Sequence, residues 1–155
     1  MFEKNVLSDR EFCNVSVNGK ITGFQLKLRI PQYRGLPLAM LQDLRVTVDG
    51  ESYVGEKLRF TVLGRSYTLD EMKTVKNIYW CYEQFATVTV SKPGGLSSGM
   101  HTVEVRLLLD TGPPNVPRLR AYEIVKKQET LEEAYRFTPT GTGIAKVTKK
   151  MTLVQ

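Results

Sequence analysis

Histidine is almost absent from this chain. His101 is the only one among 155 residues, and cysteine occurs only at Cys13 and Cys81. Catalytic metal sites are assembled from several His or carboxylate ligands, and the sequence has neither a His-x-x-x-His pair nor a Cys-x-x-Cys pair. Pro93-Gly94-Gly95-Leu96 is rich in glycine but lacks the Lys-Ser/Thr that a phosphate loop requires, so it reads as a turn. No nucleophilic serine device is expected, and a single histidine where a strand begins reads as structural or solvent-facing. No apolar run reaches the ~20 residues of a bilayer span. Glu3 and Lys4 are not followed by the apolar stretch of a secretory signal. These absences predict a cytoplasmic protein that neither enters a membrane nor binds a metal itself, with two buried, reduced thiols.

Positive charge is present, but unevenly. The net charge is +6. Residues 1–110 carry 14 basic and 12 acidic side chains, and residues 111–155 carry 8 and 4. No aromatic platform interleaves with the basic residues of the second segment, which speaks against nucleic acid as a partner. The break falls at Gly112-Pro113-Pro114-Asn115-Val116-Pro117, a linker-like run that cannot sit in a central strand. The expected organisation is therefore a domain over residues 1–110 and a proline-linked extension over 111–155.

Within the first segment the hydrophobic period is two. Phe24, Leu26, Leu28 and Ile30 alternate with Gln25, Lys27 and Arg29, as in a strand with one buried face. Similar patterns occur at Phe12–Val17, Leu44–Val48, Leu58–Val62, Ile78–Tyr82, Ala86–Val90 and His101–Leu109. Asn18-Gly19 and Asp49-Gly50 are hairpin dipeptides, and Gly64-Arg65 is expected to turn a further strand. Thr68 or Asp70 can cap a single helical turn through Met72, with Asp70 and Glu71 as its N-terminal charges. Seven or eight short strands joined by Gly, Pro and Asn turns predict an all-β antiparallel sandwich. In the extension, Glu129–Tyr135 is a candidate short helix and Ile144–Val154 a final strand, expected to pack on another subunit instead of completing this core.

The stretch from Gly23 to Leu38 ends differently from the others. After Pro31 comes a loop that carries Tyr33, Arg34, Leu36, Pro37 and Leu38. A loop that only connects strands is short and polar. This one has aromatic, arginine and aliphatic residues, the composition of interface cores, so these five are the candidate partner surface. Trp80 and Tyr82 are expected in the core.

Gly23–Leu38, together with Met1-Phe2-Glu3-Lys4, Val48-Asp49-Gly50-Glu51, Leu58-Arg59-Phe60-Thr61-Val62, Tyr67-Thr68-Leu69-Asp70-Glu71 and Lys92-Pro93-Gly94-Gly95-Leu96, resembles the small β subunit of bacterial C-glycoside deglycosidases. The resemblance covers Met1 to about Asp110. It implies a non-catalytic subunit of a carbon–carbon lyase, in a hetero-oligomer with a TIM-barrel α subunit similar to sugar-phosphate isomerases. That partner would hold a divalent metal, expected to be manganese, and would cleave 3-keto C-glycosides, such as those of flavonoids, by C2 deprotonation and β-elimination. No catalytic or metal-binding residue transfers to this chain. The alternative from the residues alone is a stand-alone carbohydrate- or aromatic-binding β-sandwich.

Overall fold

The computed structural model describes residues 6–30, 35–81, 83–110 and 142–153. Eleven strands lie among these residues: β1 (Leu7–Val17), β2 (Lys20–Leu28), β3 (Leu36–Pro37), β4 (Leu41–Val48), β5 (Glu51–Tyr53), β6 (Leu58–Val62), β7 (Arg65–Thr68), β8 (Tyr79–Trp80), β9 (Ala86–Ser91), β10 (Gly99–Asp110) and β11 (Thr142–Leu153). One helical turn, α1 (Leu69–Met72), follows β7. The strands form an antiparallel sheet in the order β1-β2-β9-β6-β7, a second in the order β11-β10-β4-β5, and a small pair, β3-β8. The fold is the expected all-β sandwich.

Alternation explains the layers. Phe24, Leu26 and Leu28 of β2, Leu58, Phe60 and Val62 of β6, and Ala86, Val88 and Val90 of β9 point inward from the first sheet. They meet Leu44, Val46 and Val48 of β4 and Val103, Val105, Leu107 and Leu109 of β10. Burial of an aliphatic or aromatic side chain stabilises by roughly 1.5–3 kcal/mol, and these inward rows supply most of the core. Between them Phe24 stands edge-on to Tyr53, ring centres 5.5 Å apart, and Phe60 edge-on to Trp80 at 5.1 Å.

The turns follow their dipeptides. Asn18-Gly19 and Asp49-Gly50 both have two successive positive φ values, the primed geometry that matches strand twist. The third such turn is one residue earlier than expected. It uses Leu63 and Gly64, and it places Leu63 at φ 52 with its side chain 61 % exposed. Thr68 caps α1 with a complete capping box: the Glu71 amide donates to Thr68 Oγ1 at 3.2 Å, and the Thr68 amide to Glu71 Oε1 at 2.8 Å.

Two expectations need correction. The final strand does not leave the sandwich. β11 pairs with β10 in unbroken register from Gly99↔Leu153 to Asp110↔Thr142, and Met151 and Leu153 are buried in the common core. Lys149 reaches across to the first sheet, donating to the Leu7 carbonyl and pairing with Asp9. The edge of β10 is better satisfied by a strand of its own chain than left open. The two cysteines are free but only half-buried. Cys13 pairs with Gln25 on the outward parity of β1 and β2, which keeps it out of the core. The linker at 112–117 and the candidate helix at 129–135 lie outside the described residues.

Candidate functional site

The registers place the Leu7 end of β1, the Leu28 end of β2 and the Val62 end of β6 at one end of the first sheet, and the Leu41 end of β4 beside the Leu109 end of β10 in the second. At this end β6 turns tightly into β7 through Leu63-Gly64, but β2 does not return by a two-residue turn. Arg29 leaves β2 with its amide bonded to the Val6 carbonyl at 2.8 Å and its guanidinium 4.5 Å above the Phe85 ring. β3 then pairs with β8, Leu36 opposite Trp80 and Pro37 opposite Tyr79. Pro37 is tolerated because a two-residue edge pair needs no N–H from it. The chain continues into a single 3-10 turn, Leu38–Met40, held to the 73–78 segment by the Leu38 amide on the Ile78 carbonyl and the Ala39 amide on the Val75 carbonyl, both at 2.9 Å.

This geometry divides the five residues expected at a partner surface. Leu36 and Leu38 are 9 % and 1 % exposed, covered by this chain's own core, so little of either is left for another molecule. Pro37 is half-buried. Tyr33 and Arg34 lie outside the described residues. Among the described residues this end presents Leu63, 61 % exposed, and Tyr79, 49 % exposed beside Pro37. The sequence carried the signal for the tyrosine. Tyr79 and Trp80 are consecutive strand residues, so one points in and the other out. Trp80 is the inward one, as expected, and its Nε1 donates to the Gln84 carbonyl at 3.1 Å. Tyr82 is outside the described residues. With Trp80 buried, the indole is not part of an exposed aromatic platform for a sugar.

The opposite end holds the one histidine. His101 is 7 % exposed, the structural one of the two readings expected of it, and its ring meets Phe12 edge-on at 6.2 Å. Nδ1 is 2.6 Å from Asp49 Oδ2, and Nε2 is 2.7 Å from the Ser97 carbonyl oxygen. Asp49 also accepts from the Thr102 amide at 2.8 Å, and its own amide returns a bond to the Thr102 carbonyl at 2.9 Å. The bond from His101, then that from Thr102, holds the Asp49 carboxyl below its ordinary pKa. Alongside, Asn14 binds both backbone groups of Leu96, its Nδ2 donating to the carbonyl and its Oδ1 accepting from the amide, each at 2.8 Å.

One motif escaped the sequence reading. Gly95-Leu96-Ser97-Ser98-Gly99 has the Gly-x-Ser-x-Gly spacing of a nucleophile elbow. Its setting differs from that device. It joins β9 to β10 in an all-β fold, with no strand–turn–helix, and His101 addresses the Ser97 carbonyl, not its hydroxyl. Both ring nitrogens are engaged, so neither is available here to take a proton from a serine. Among the described residues no three His, Cys, Asp or Glu side chains come together as metal ligands, so the donor set does not fit a metal site. An open depression is lined by Thr22, Glu56, Lys57, Arg59, Thr89 and Ser91, which offer hydroxyls and charges of both signs. No helix of the described residues is long and apolar enough to cross a membrane.

Residues 2–112 match the family described as C-glycoside deglycosidase beta subunit. A protein of that name from Eubacterium cellulosolvens is 35% identical over 103 residues, which is 66% of this chain and 70% of the relative. The 3'-dehydrocarminate deglycosidase beta subunit of a Microbacterium species is 34% identical over 87 residues, 56% of this chain and 64% of the relative. A C-glycoside deglycosidase beta subunit from Microbacterium trichothecenolyticum is 29% identical over 123 residues, 77% of this chain and 84% of the relative.

Proposed function

The chain belongs to the C-glycoside deglycosidase beta subunit family, and on that premise we propose that it is the non-catalytic subunit of a hetero-oligomeric carbon–carbon lyase acting on 3-keto C-glycosides in the cytoplasm. The observation that carries this reading is the family match over residues 2–112, which spans the sandwich from β1 to β10. A subunit named β implies a partner subunit. The proposal places the chemistry on that partner, a TIM-barrel α subunit. A 3-keto group acidifies the adjacent C2 proton. Once a base has removed it, β-elimination expels the aglycone from C1. The base and the divalent metal, manganese, are assigned to the α subunit, since this chain's described residues offer no ligand set for a metal.

The contact is proposed at the loop end, over Tyr33, Arg34, Pro37 and the exposed Tyr79. Tyrosine and arginine are favoured as interface anchors because they bury area with few rotors and keep a polar tip. The test is reconstitution. This chain and the α subunit, each inert alone toward a 3-keto C-glycoside, should release the aglycone when combined. Tyr79→Ala should weaken assembly by about 1–4 kcal/mol and leave the melting temperature of the isolated chain unchanged. Turnover by this chain alone at the rate of the complex would overturn the assignment. Full affinity of the Tyr79 variant would move the contact elsewhere.

A further inference from the structure

The hydrogen atoms on His101 follow from its neighbours. A carbonyl oxygen accepts and never donates, so the 2.7 Å contact to Ser97 requires a proton on Nε2. The Asp49 side chain is half exposed and its carboxyl titrates below the ordinary range, so it too is an acceptor. The 2.6 Å contact to it therefore requires a second proton on Nδ1. A neutral imidazole has one N–H and would set a lone pair against one of the two oxygens.

We propose that His101 is held as an imidazolium at neutral pH and acts as a pH-sensitive clasp, joining the β4–β5 turn and the loop at 92–98 to the first residues of β10, and opening when the ring loses a proton. The ring touches the turn through Asp49 and the loop through Ser97; the turn is also bonded to β10 through Thr102, and the loop to β1 through Asn14 and to Glu51 through Lys92. Among the described residues, Asp49 is the charged group against the ring. Phe12 of β1 contributes an apolar edge, and Met151, opposite on β11, is buried. Lys149, two residues before Met151, is directed to Asp9 and the Leu7 carbonyl.

The direction in pH follows from these contacts. Burial is the largest single influence and disfavours the charge, but the Ser97 carbonyl and the Asp49 carboxylate together outweigh it and raise the ring above its ordinary value of 6.5. A group whose pKa is raised by folding contributes stability that is complete below the unfolded value and disappears as pH rises through the folded one. Asp49, depressed by folding, contributes above its unfolded value and loses that contribution as pH falls through the folded one. The clasp is therefore closed between these limits and opens as pH rises through the ring's folded value, which lies above 6.5.

With one histidine in the chain, long-range proton–nitrogen spectra of the imidazole need no assignment. The full-length protein should show both ring nitrogens protonated at pH 7 and a midpoint above 6.5. Amide exchange at residues 96–102 should exceed its intrinsic pH dependence as that midpoint is crossed, and this excess should be absent in His101→Gln. Asp49→Asn should move the midpoint down; if that variant does not fold, the wild-type titration decides alone. A single neutral tautomer at pH 7, or a midpoint at or below 6.5, overturns the proposal. So does labelling of Ser97 by a fluorophosphonate, since that would require a ring nitrogen free to act as base.

Discussion

Where β1 turns into β2 and β4 into β5, the chain reverses in two residues, and the polar side chains nearby are used within the end itself. Asn14 holds Leu96, and His101 holds Asp49 and Ser97. At the other end β6 also turns tightly into β7 through Leu63-Gly64, but other connections there are longer. The described residues between Arg29 and Met40 and between Lys73 and Phe85 include a two-residue strand pair, a 3-10 turn and several carbonyls bonded outside any ladder. Tight turns leave little surface to vary, whereas long connections on a fixed scaffold can be shaped to another molecule. The first end holds the two sheets together. The second has an inner layer of Leu36, Leu38 and Trp80 and an outer one containing Tyr79.

The largest expected effect tests whether that inner layer belongs to the core. Trp80 is 1 % exposed, stands against Phe60 and donates to Gln84. Trp80→Ala should cost about 3–5 kcal/mol of folding free energy, measured by chemical denaturation of the isolated chain. Its neighbour Tyr79→Ala should fall within about 0.5 kcal/mol of wild type in the same assay. Similar losses for both would erase the division between inner and outer layers.

The two ends also differ in how far the amino-acid sequence reveals them. Alternation at Phe24–Leu28 and Val103–Leu109, and the dipeptides Asn18-Gly19 and Asp49-Gly50, are local signals, and the sandwich and its turn end follow from them. Partners are not local. Alternation at Ile144–Val154 announces a strand but not which edge it joins, and here β10 of the same chain accepts it. His101 and Asp49 are 52 residues apart, and no spacing rule links them. At the loop end Leu36 and Leu38 read as surface because a loop was expected to be outside. A two-residue pairing with Tyr79–Trp80, too short for any periodic signal, turns them inward.

A smaller effect is expected from the turn end. Asn14 closes two hydrogen bonds on the backbone of Leu96 in a part-buried setting. Asn14→Ala leaves an amide and a carbonyl to find water, a loss of about 2 kcal/mol. The loop at 92–98 should loosen, with faster amide exchange there, while the exchange of Leu38 and Ala39 at the far end stays unchanged. If both ends loosen together, the sandwich transmits strain between them and they are not independent.

The smallest effect concerns the segment that connects them. α1 follows β7, and residues 73–78 run from it to the carbonyls of Val75 and Ile78, which receive the amides of Ala39 and Leu38. Thr68 anchors that path through the capping box. Loss of a threonine N-cap costs roughly 1 kcal/mol, so Thr68→Ala should lower stability by about that amount. Met72 is fully buried and stays in the core, so the four-residue helix itself has little freedom to unwind. The strain should be passed to the 73–78 segment. The expected signature is faster exchange at Leu38 and Ala39 than in wild type, with Asn14, Leu96 and Thr102 unaffected. Exchange accelerated only at Glu71, with Leu38 and Ala39 unchanged, would show that the cap serves its own turn alone and that the loop end is positioned by Trp80 without help from α1.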